Sequence, residues 1–314
     1  MGQTIGRYHV DVLMARGGMG EVYRGRMLGA HGFERPIVIK LIRQDLVDSQ
    51  KIAMMFIDEA RIAAGLHHRN IVQILDFDQL PAGTGVFLVT ELVEGCDLRS
   101  LFCSLDGPLS YSIAVTILAE LATGLAAAHD ATDAEGVPLQ LVHRDVSPSN
   151  VLLGIHGEVK IADFGVARTR SRSYHTVSGT IKGKAAYMAP EQILGGVLDC
   201  RADVFGLGVL LFELTTRTRL YGGRGSAAME KILAGFVPDP VERRPDYPSR
   251  LAEIVRRALA FDRDDRYPSA TALVDDLDEL ARTHGWPLSL AAVADEVRAV
   301  REHGGLTPTP ERRT

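Results

Sequence analysis

The chain has 314 residues, 46% hydrophobic and 24% charged, a composition ordinary for a globular protein and long enough for one large or two modest domains. A formal net charge of −5 speaks against nucleic-acid binding by bulk electrostatics, and Cys96, Cys103 and Cys200 have no metal-ligand spacing, an odd and sparse set that suits reduced thiols. The longest uninterrupted apolar stretch, residues 204–214, is about half a bilayer span, no signal-peptide pattern opens the chain, and Gly6 stands where N-myristoylation wants Ser or Thr, so no membrane span and a cytoplasmic location are expected.

Residues 8–40 are β-rich: Val10, Val12, Leu13, Val22, Tyr23 and the run Ile37-Val38-Ile39 mark short strands around a glycine cluster. Asp48 or Ser49 caps a helix expected to run to about residue 67, with Ile52, Met55, Phe56, Ile62, Ala63 and Leu66 on a stripe of helical period. Glu59 falls inside that stripe. A carboxylate on a buried helix face is costly unless a cation meets it, and Lys40, ending the preceding apolar strand, is the natural partner. Strands are expected at 71–76 and 86–90, then a polar connection at 91–97. Beyond it helices dominate. An apolar helix at 113–129 is followed by a loop at 130–139, marked by Gly136 and Pro138, and by short strands at 141–142, 151–153 and 159–161. Residues 204–214 are hydrophobic on nearly all sides, as in a helix buried mid-domain. Further helices are expected at 227–234, 249–260, 270–283 and 290–300, before a polar tail. A β-rich first third and a helical remainder predict an α+β, bilobal architecture hinged near residues 91–97.

The chemistry sits at the join. His143-Arg144-Asp145-Val146-Ser147-Pro148-Ser149-Asn150, followed by Asp163-Phe164-Gly165, places two acids and a carboxamide where a nucleotide–metal complex and an attacking hydroxyl could be held together. Phosphoryl transfer needs a carboxylate to orient the nucleophile and oxygen ligands for the ion that neutralises the triphosphate. Hard oxygen donors without thiols suit Mg2+ far better than zinc. Each part has a plainer explanation: aspartates cap turns, glycine clusters make tight turns, and a lysine at a strand end is usually a solvated edge charge. Those explanations do not cover Asp145, Asn150 and Asp163 together, nor Glu59 on a buried face.

In this order and spacing, over residues 8–282, the segments resemble the eukaryotic-like (Hanks-type) bacterial serine/threonine protein kinases, with the H-R-D-x-x-x-x-N and D-F-G motifs at 143–150 and 163–165. The resemblance implies a kinase domain at 1–282, with a small lobe at about 8–90, a hinge at about 91–97, a large lobe at about 98–282, and a C-terminal extension at 283–314 with one short helix and a tail. It implies that Asp145 accepts or orients the substrate hydroxyl proton and that Asn150 and Asp163 bind Mg2+, with Mn2+ the alternative. Lys40, held by Glu59, would meet the α- and β-phosphates of ATP. The segment Ala15-Arg16-Gly17-Gly18-Met19-Gly20-Glu21-Val22 resembles the glycine-rich loop over the phosphates, with Ala15 at the first glycine position. Thr90 would guard the rear of the adenine pocket, the backbone of Glu91 to Val93 would bind adenine, and Asp97 belongs to the same nucleotide-binding set. Val22, Val38 and Leu152 would sandwich the ring. Ala63, Ile74, His143 and Phe164 would stack between the lobes, Asp203 would cap the catalytic-loop backbone, and Glu191 would pair with Arg266.

Two departures stand out. Most serine/threonine members carry Lys two residues after the catalytic Asp, where this chain has Ser147. Lys184 takes the Thr position of the family's G-T-x-x-Y-x-A-P-E, here Gly183-Lys184-Ala185-Ala186-Tyr187-Met188-Ala189-Pro190-Glu191. Lys184 is expected to supply the cation that Ser147 does not; the alternative is drift, with Lys184 in solvent. Both usual marks of serine/threonine preference are altered, which leaves tyrosine open. Arg144 is expected to receive a phosphorylated residue of the following segment, with Thr176 and Ser178 where related kinases place activating phosphothreonines and Thr180 a further candidate. The resulting reading is an ATP-dependent protein kinase acting on Ser/Thr of protein substrates, monomeric or weakly homodimeric, and regulated by activation-loop autophosphorylation. A nucleotide-binding pseudokinase acting as scaffold or allosteric partner is the alternative suggested by Ser147, Lys184 and Ala15. A small-molecule phosphotransferase shares the acid–Asn–acid logic, but Ala189-Pro190-Glu191 and the long activation segment favour a protein substrate.

Overall fold

The computed structural model describes residues 3–17, 20–42, 60–80, 85–164, 184–223 and 225–302. Its N-terminal part is a six-stranded antiparallel sheet built from β1 (Gln3–Ile5), β2 (Tyr8–Gly17), β3 (Gly20–Leu28), β4 (Glu34–Ile42), β5 (Ile74–Gln79) and β6 (Val86–Glu91), in the order β1-β2-β3-β4-β6-β5. Period-2 alternation in β4 decides which side chains reach the cleft. Ile37 and Ile39 are fully buried in a small core with Tyr8, Phe87 and Val89, while Val38 and Lys40 lie on the opposite, partly open face. Gly20 has φ 153°, and a Cβ there would stand 1.8 Å from the Leu41 carbonyl oxygen, so only glycine lets β3 start so close to β4. Of the helix expected to end near residue 67, residues 60–64 are described and helical, with Ala60 and Ala63 buried; its earlier part, including Glu59, lies outside the described residues.

The larger lobe is helical: α1 (Leu98–Ser104), α2 (Tyr111–His129), α3 (Pro190–Ile193), α4 (Arg201–Thr216), α5 (Gly225–Leu233), α6 (Ser249–Ala258), α7 (Ala270–His284) and α8 (Leu290–Glu302). A small sheet of β7 (Gly95–Asp97), β8 (Val151–Gly154) and β9 (Val159–Ile161) crosses its top. As the sequence led us to expect, α4 is buried on every side, Ala202 through Thr216. Among the described residues it is α2, rather than α4, that has the length and apolarity of a bilayer span, and 61% of that window is packed inside the large-lobe core. All three cysteines are free.

Two local expectations change, and two features add to what the sequence indicates. No strand forms at 141–142, because the neighbouring His143 and Arg144 amides bond a side-chain carboxylate instead of a strand partner. The strand expected from residue 71 starts at Ile74, and Ile71 makes only an isolated parallel bridge to Ile161. Helix α1 follows the hinge directly, with Asp97 as its N-cap, its Oδ1 accepting from the Ser100 amide at 2.7 Å. Residues 286–300 share the large-lobe core: Trp286 stacks on Tyr111 at 5.4 Å, Val293 and Val297 are fully buried, and Arg298 donates to the Ile155 carbonyl at 2.6 Å.

Candidate active site

The loop between α2 and β8 is shaped from beneath by Asp203 at the start of α4. This carboxylate is 1% exposed. Its Oδ2 accepts from the His143 amide and from His129 Nε2, and its Oδ1 accepts from the Arg144 amide, each at 2.8 Å. Desolvation pushes its pKa up, but the His129 hydrogen bond and the His129 and His143 contacts overcome that and hold it below the usual carboxylate range. The expected cap is therefore in place. It supports a strained backbone, since Arg144 has φ 66°, a left-handed conformation that non-glycine residues seldom adopt. Gln192 adds a second support, its Nε2 donating to the Arg144 carbonyl at 3.0 Å.

Downstream, the loop closes on itself. His143 Nε2 lies 3.0 Å from the Ala162 carbonyl and its Nδ1 accepts from the Asp145 amide at 3.2 Å, a pattern that assigns the proton to Nε2. Asn150 Nδ2 donates to the Asp145 carbonyl at 2.8 Å, and the Ala162 amide donates to the Asn150 carbonyl at 2.8 Å. These bonds tie Asp145, Asn150 and the residue before Asp163 into one unit. His143 meets Phe164 edge-on at 4.6 Å, as the inter-lobe stack requires.

Each of the two acids is paired with a lysine. Lys40 Nζ, from the small lobe, lies 2.8 Å from Asp163 Oδ2. Lys184 Nζ lies 2.5 Å from Asp145 Oδ2. Desolvation raises the Asp163 pKa, and Lys40 first, then Lys184 and His143, bring it below the usual range, so Asp163 is ionised at neutral pH. Asp163 has φ 58°, a second left-handed non-glycine residue. Ser147, two residues beyond Asp145, is buried and lies 3.4 Å from Ser149 Oγ.

The residues expected to enclose adenine pair within their own sheets: Val22 with Ala15 and Lys40, Val38 with Thr90, and Leu152 with Asp97, and Val22, Val38 and Leu152 are each half-buried. Gly17 and Gly20 pair at the end of the β2–β3 hairpin. Gly18, Glu59, Thr176, Ser178 and Thr180 lie outside the described residues. Val93 falls in the short connection between β6 and β7. Asp97 spends one carboxylate oxygen on the α1 cap.

The donors present fit a magnesium–phosphate complex. Among the described residues no group of three His, Cys, Asp or Glu could hold an ion unaided, as zinc would require. The Asp163 carboxylate and the Asn150 side-chain oxygen, whose amide nitrogen is fixed on Asp145, are hard ligands of the kind that complete a shell with phosphates and water.

Comparison with known proteins agrees with this geometry: residues 8–277 match the protein kinase domain. The chain belongs to the protein kinase family. It is 40% identical over 287 residues to the tyrosine-protein kinase MasK of Myxococcus xanthus, covering 90% of this chain and 44% of that protein. To the serine/threonine-protein kinase PknL of Mycobacterium tuberculosis it is 36% identical over 282 residues, covering 90% and 67%. The crystal structure of the Mycobacterium tuberculosis PknI kinase domain superimposes with a TM-score of 0.66 at 26% identity, covering 88% of this chain and 97% of that one. The chain thus spans less than half of MasK and two thirds of PknL.

Two features of this kinase domain escaped the sequence. Glu91 was expected to offer its backbone to adenine; its side chain also has work, since Oε1 accepts from the Gln73 amide and from Lys160 Nζ, both at 2.8 Å. One carboxylate so joins the approach to β5, the hinge and β9. His129 on Asp203 is the other. Neither spacing, 69 residues for Glu91–Lys160 or 74 for His129–Asp203, has a local sequence signal. The expected Glu191–Arg266 pair is present and bidentate, at 2.7 and 2.9 Å, with the Arg266 side chain fully buried.

Proposed function

We propose that this kinase domain transfers the γ-phosphoryl group of ATP to serine or threonine hydroxyls of protein substrates. The observation that carries the reading is the convergence of Lys40, Asp163, Asn150 and Asp145, from two lobes and two loops, on one cleft. Asp145 takes the proton of the substrate hydroxyl. The hydroxyl oxygen bonds to the γ-phosphorus as the bond from that phosphorus to the bridging oxygen breaks, and ADP leaves. Lys40 holds the α- and β-phosphates, while Asn150 and Asp163 hold the divalent ion, which neutralises phosphate charge when bound. Serine/threonine selectivity draws support from the naming of PknL and of the PrkC kinase of Bacillus subtilis, 30% identical over 273 residues. The likeness to MasK makes tyrosine the competing outcome.

The test is transfer from labelled ATP with Mg2+ to the protein itself and to a generic protein acceptor. The label should be lost in Asp145→Asn and should appear as phosphoserine or phosphothreonine on hydrolysis. Phosphotyrosine alone would overturn the selectivity. ATP binding with no transfer by the intact protein would favour the scaffold reading, for which the buried Ser147 and the Lys184–Asp145 contact are the relevant observations. Regulation is part of the proposal: Arg144 would receive a phosphate from Thr176, Ser178 or Thr180. Mass spectrometry after incubation with ATP should find phosphate on these residues, and its absence between residues 169 and 180 would remove this part.

A further inference from the structure

The four residues between Asp145 and Asn150, namely Val146, Ser147, Pro148 and Ser149, carry no charge. A phosphoryl group in transfer spreads negative charge over three oxygens, and that charge is best stabilised by donors fixed in place before the reaction. The loop that carries Asp145 offers no cation between that acid and Asn150. Lys40 reaches the cleft from the opposite lobe and lies on Asp163.

Lys184 comes from a third direction. It precedes the turn Ala185–Tyr187, where Ala185 is fully buried and the Tyr187 hydroxyl donates to Glu213 at 2.7 Å. Further along, the Ala189 amide donates to Gln192 Oε1 at 2.9 Å, and Gln192 Nε2 donates to the Arg144 carbonyl at 3.0 Å. The root of Lys184 and the loop of Asp145 are therefore parts of one hydrogen-bonded unit, so the ammonium approaches from a fixed base. Its side chain is 29% exposed and Asp145's is 10%, which leaves it partly open to the cleft. An ammonium has three N–H donors, and the Asp145 contact uses one.

We propose that Lys184 is a catalytic residue that contacts the transferred phosphoryl group, taking the cationic role that the Asp145 loop leaves empty. The assignment rests on the kinase reading above. It requires no covalent step at Lys184: the ammonium keeps its proton and bonds only to the phosphoryl oxygens and Asp145. A rival role is that Lys184 only orients Asp145.

Single-turnover transfer from labelled ATP with Mg2+ to a generic protein acceptor separates these cases. The proteins compared are the full chain, Lys184→Met, Lys184→Arg, Asp145→Asn and Asp145→Asn/Lys184→Met, each checked for ATP binding and thermal unfolding. Lys184→Met should slow transfer by about 100-fold or more, with the ATP Kd changed less than about threefold, and Lys184→Arg should recover about tenfold over Met. In the Asp145→Asn background, Lys184→Met should slow the residual rate by about a further tenfold. Transfer by Lys184→Met within about threefold of the intact rate would overturn the proposal while leaving the kinase reading intact. Equal rates for Asp145→Asn and the double variant would also overturn it, reducing Lys184 to a positioning residue. Should the Met variant not fold, Lys184→Gln takes its place in the same comparisons. An intact protein that binds ATP and transfers nothing overturns the kinase reading, and this proposal with it.

Discussion

The small lobe keeps its core on one face of a sheet, where Ile37, Ile39, Phe87 and Val89 pack with Tyr8 and Val10. In the large lobe the core surrounds α4 on all sides and encloses charges: Asp203, Glu213 and Arg266 are each at most 2% exposed. The candidate site groups divide along the same line. Asp145 and Asn150 are held by hydrogen bonds that trace back to Asp203 on α4, whereas Lys40 lies on the half-buried face of the small-lobe sheet. A buried, satisfied polar network is rigid, and one missing partner is costly. A single-faced core can shift as a body with smaller loss. The two acids are thus held by a polar network rooted in α4, and Lys40 by a sheet whose core lies on one face.

The largest expected effect breaks the rigid side. Asp203→Ala leaves the His143 and Arg144 amides without their acceptor, and should destabilise the large lobe by about 3–5 kcal/mol while slowing transfer about 100-fold. Urea unfolding followed by Trp286 fluorescence, the single tryptophan, reports on this lobe. The same residue predicts a pH dependence. Its native pKa lies below the ordinary 3.8, so the unfolded chain binds this proton first as pH falls. The stabilisation is complete above about pH 4 and is lost below it, and Asp203→Asn should flatten that acid limb of the urea midpoint.

Arg266→Met comes next. It strands the Glu191 carboxylate, and should lower the Trp286-monitored stability by about 3–5 kcal/mol, with ATP affinity unchanged per folded molecule. Ile39→Ala tests the other lobe. It should remove about 2–5 kcal/mol from the small-lobe core, so that ATP binding is lost at a lower urea concentration than the Trp286 transition. Coincident transitions in that variant would show that the lobes unfold as one, and would collapse the comparison. The smallest effect is at the seam. Lys160→Met releases the partly buried Glu91 at the hinge and should cost about 1–2 kcal/mol, raising the KM for ATP a few-fold with kcat unchanged.

Much of this was legible in the sequence because it is written in short-range periodicity. The apolar run 37–39 marked the strand that ends in Lys40, the all-apolar run at 204–214 marked the central helix, and the H-R-D-x-x-x-x-N and D-F-G spacings located the acids. Failures followed from long-range acceptors. The 141–142 segment has strand-like residues, but its following amides are taken by Asp203 from α4, and no local pattern reveals that. The Glu91–Lys160 clamp and the His129–Asp203 bond are invisible for the same reason. Helix α1 could have been found: Asp97 followed by Leu98 and Leu101 is a cap with two inward positions. The left-handed backbones of Arg144 and Asp163 had no such sign, because these residue types do not demand them.

Helix α8 has a practical consequence. A shortened chain ending near residue 282, where the sequence motifs stop, would strip Trp286 from Tyr111 and leave the seats of Val293 and Val297 open. The Gly157 turn, against which Leu290 packs closely enough to leave no room for a Cβ, would be bared as well. A fresh apolar surface beside β7 and β8 invites self-association, so poor solubility of such a fragment would reflect a boundary cut through the core rather than any weakness of the catalytic lobe.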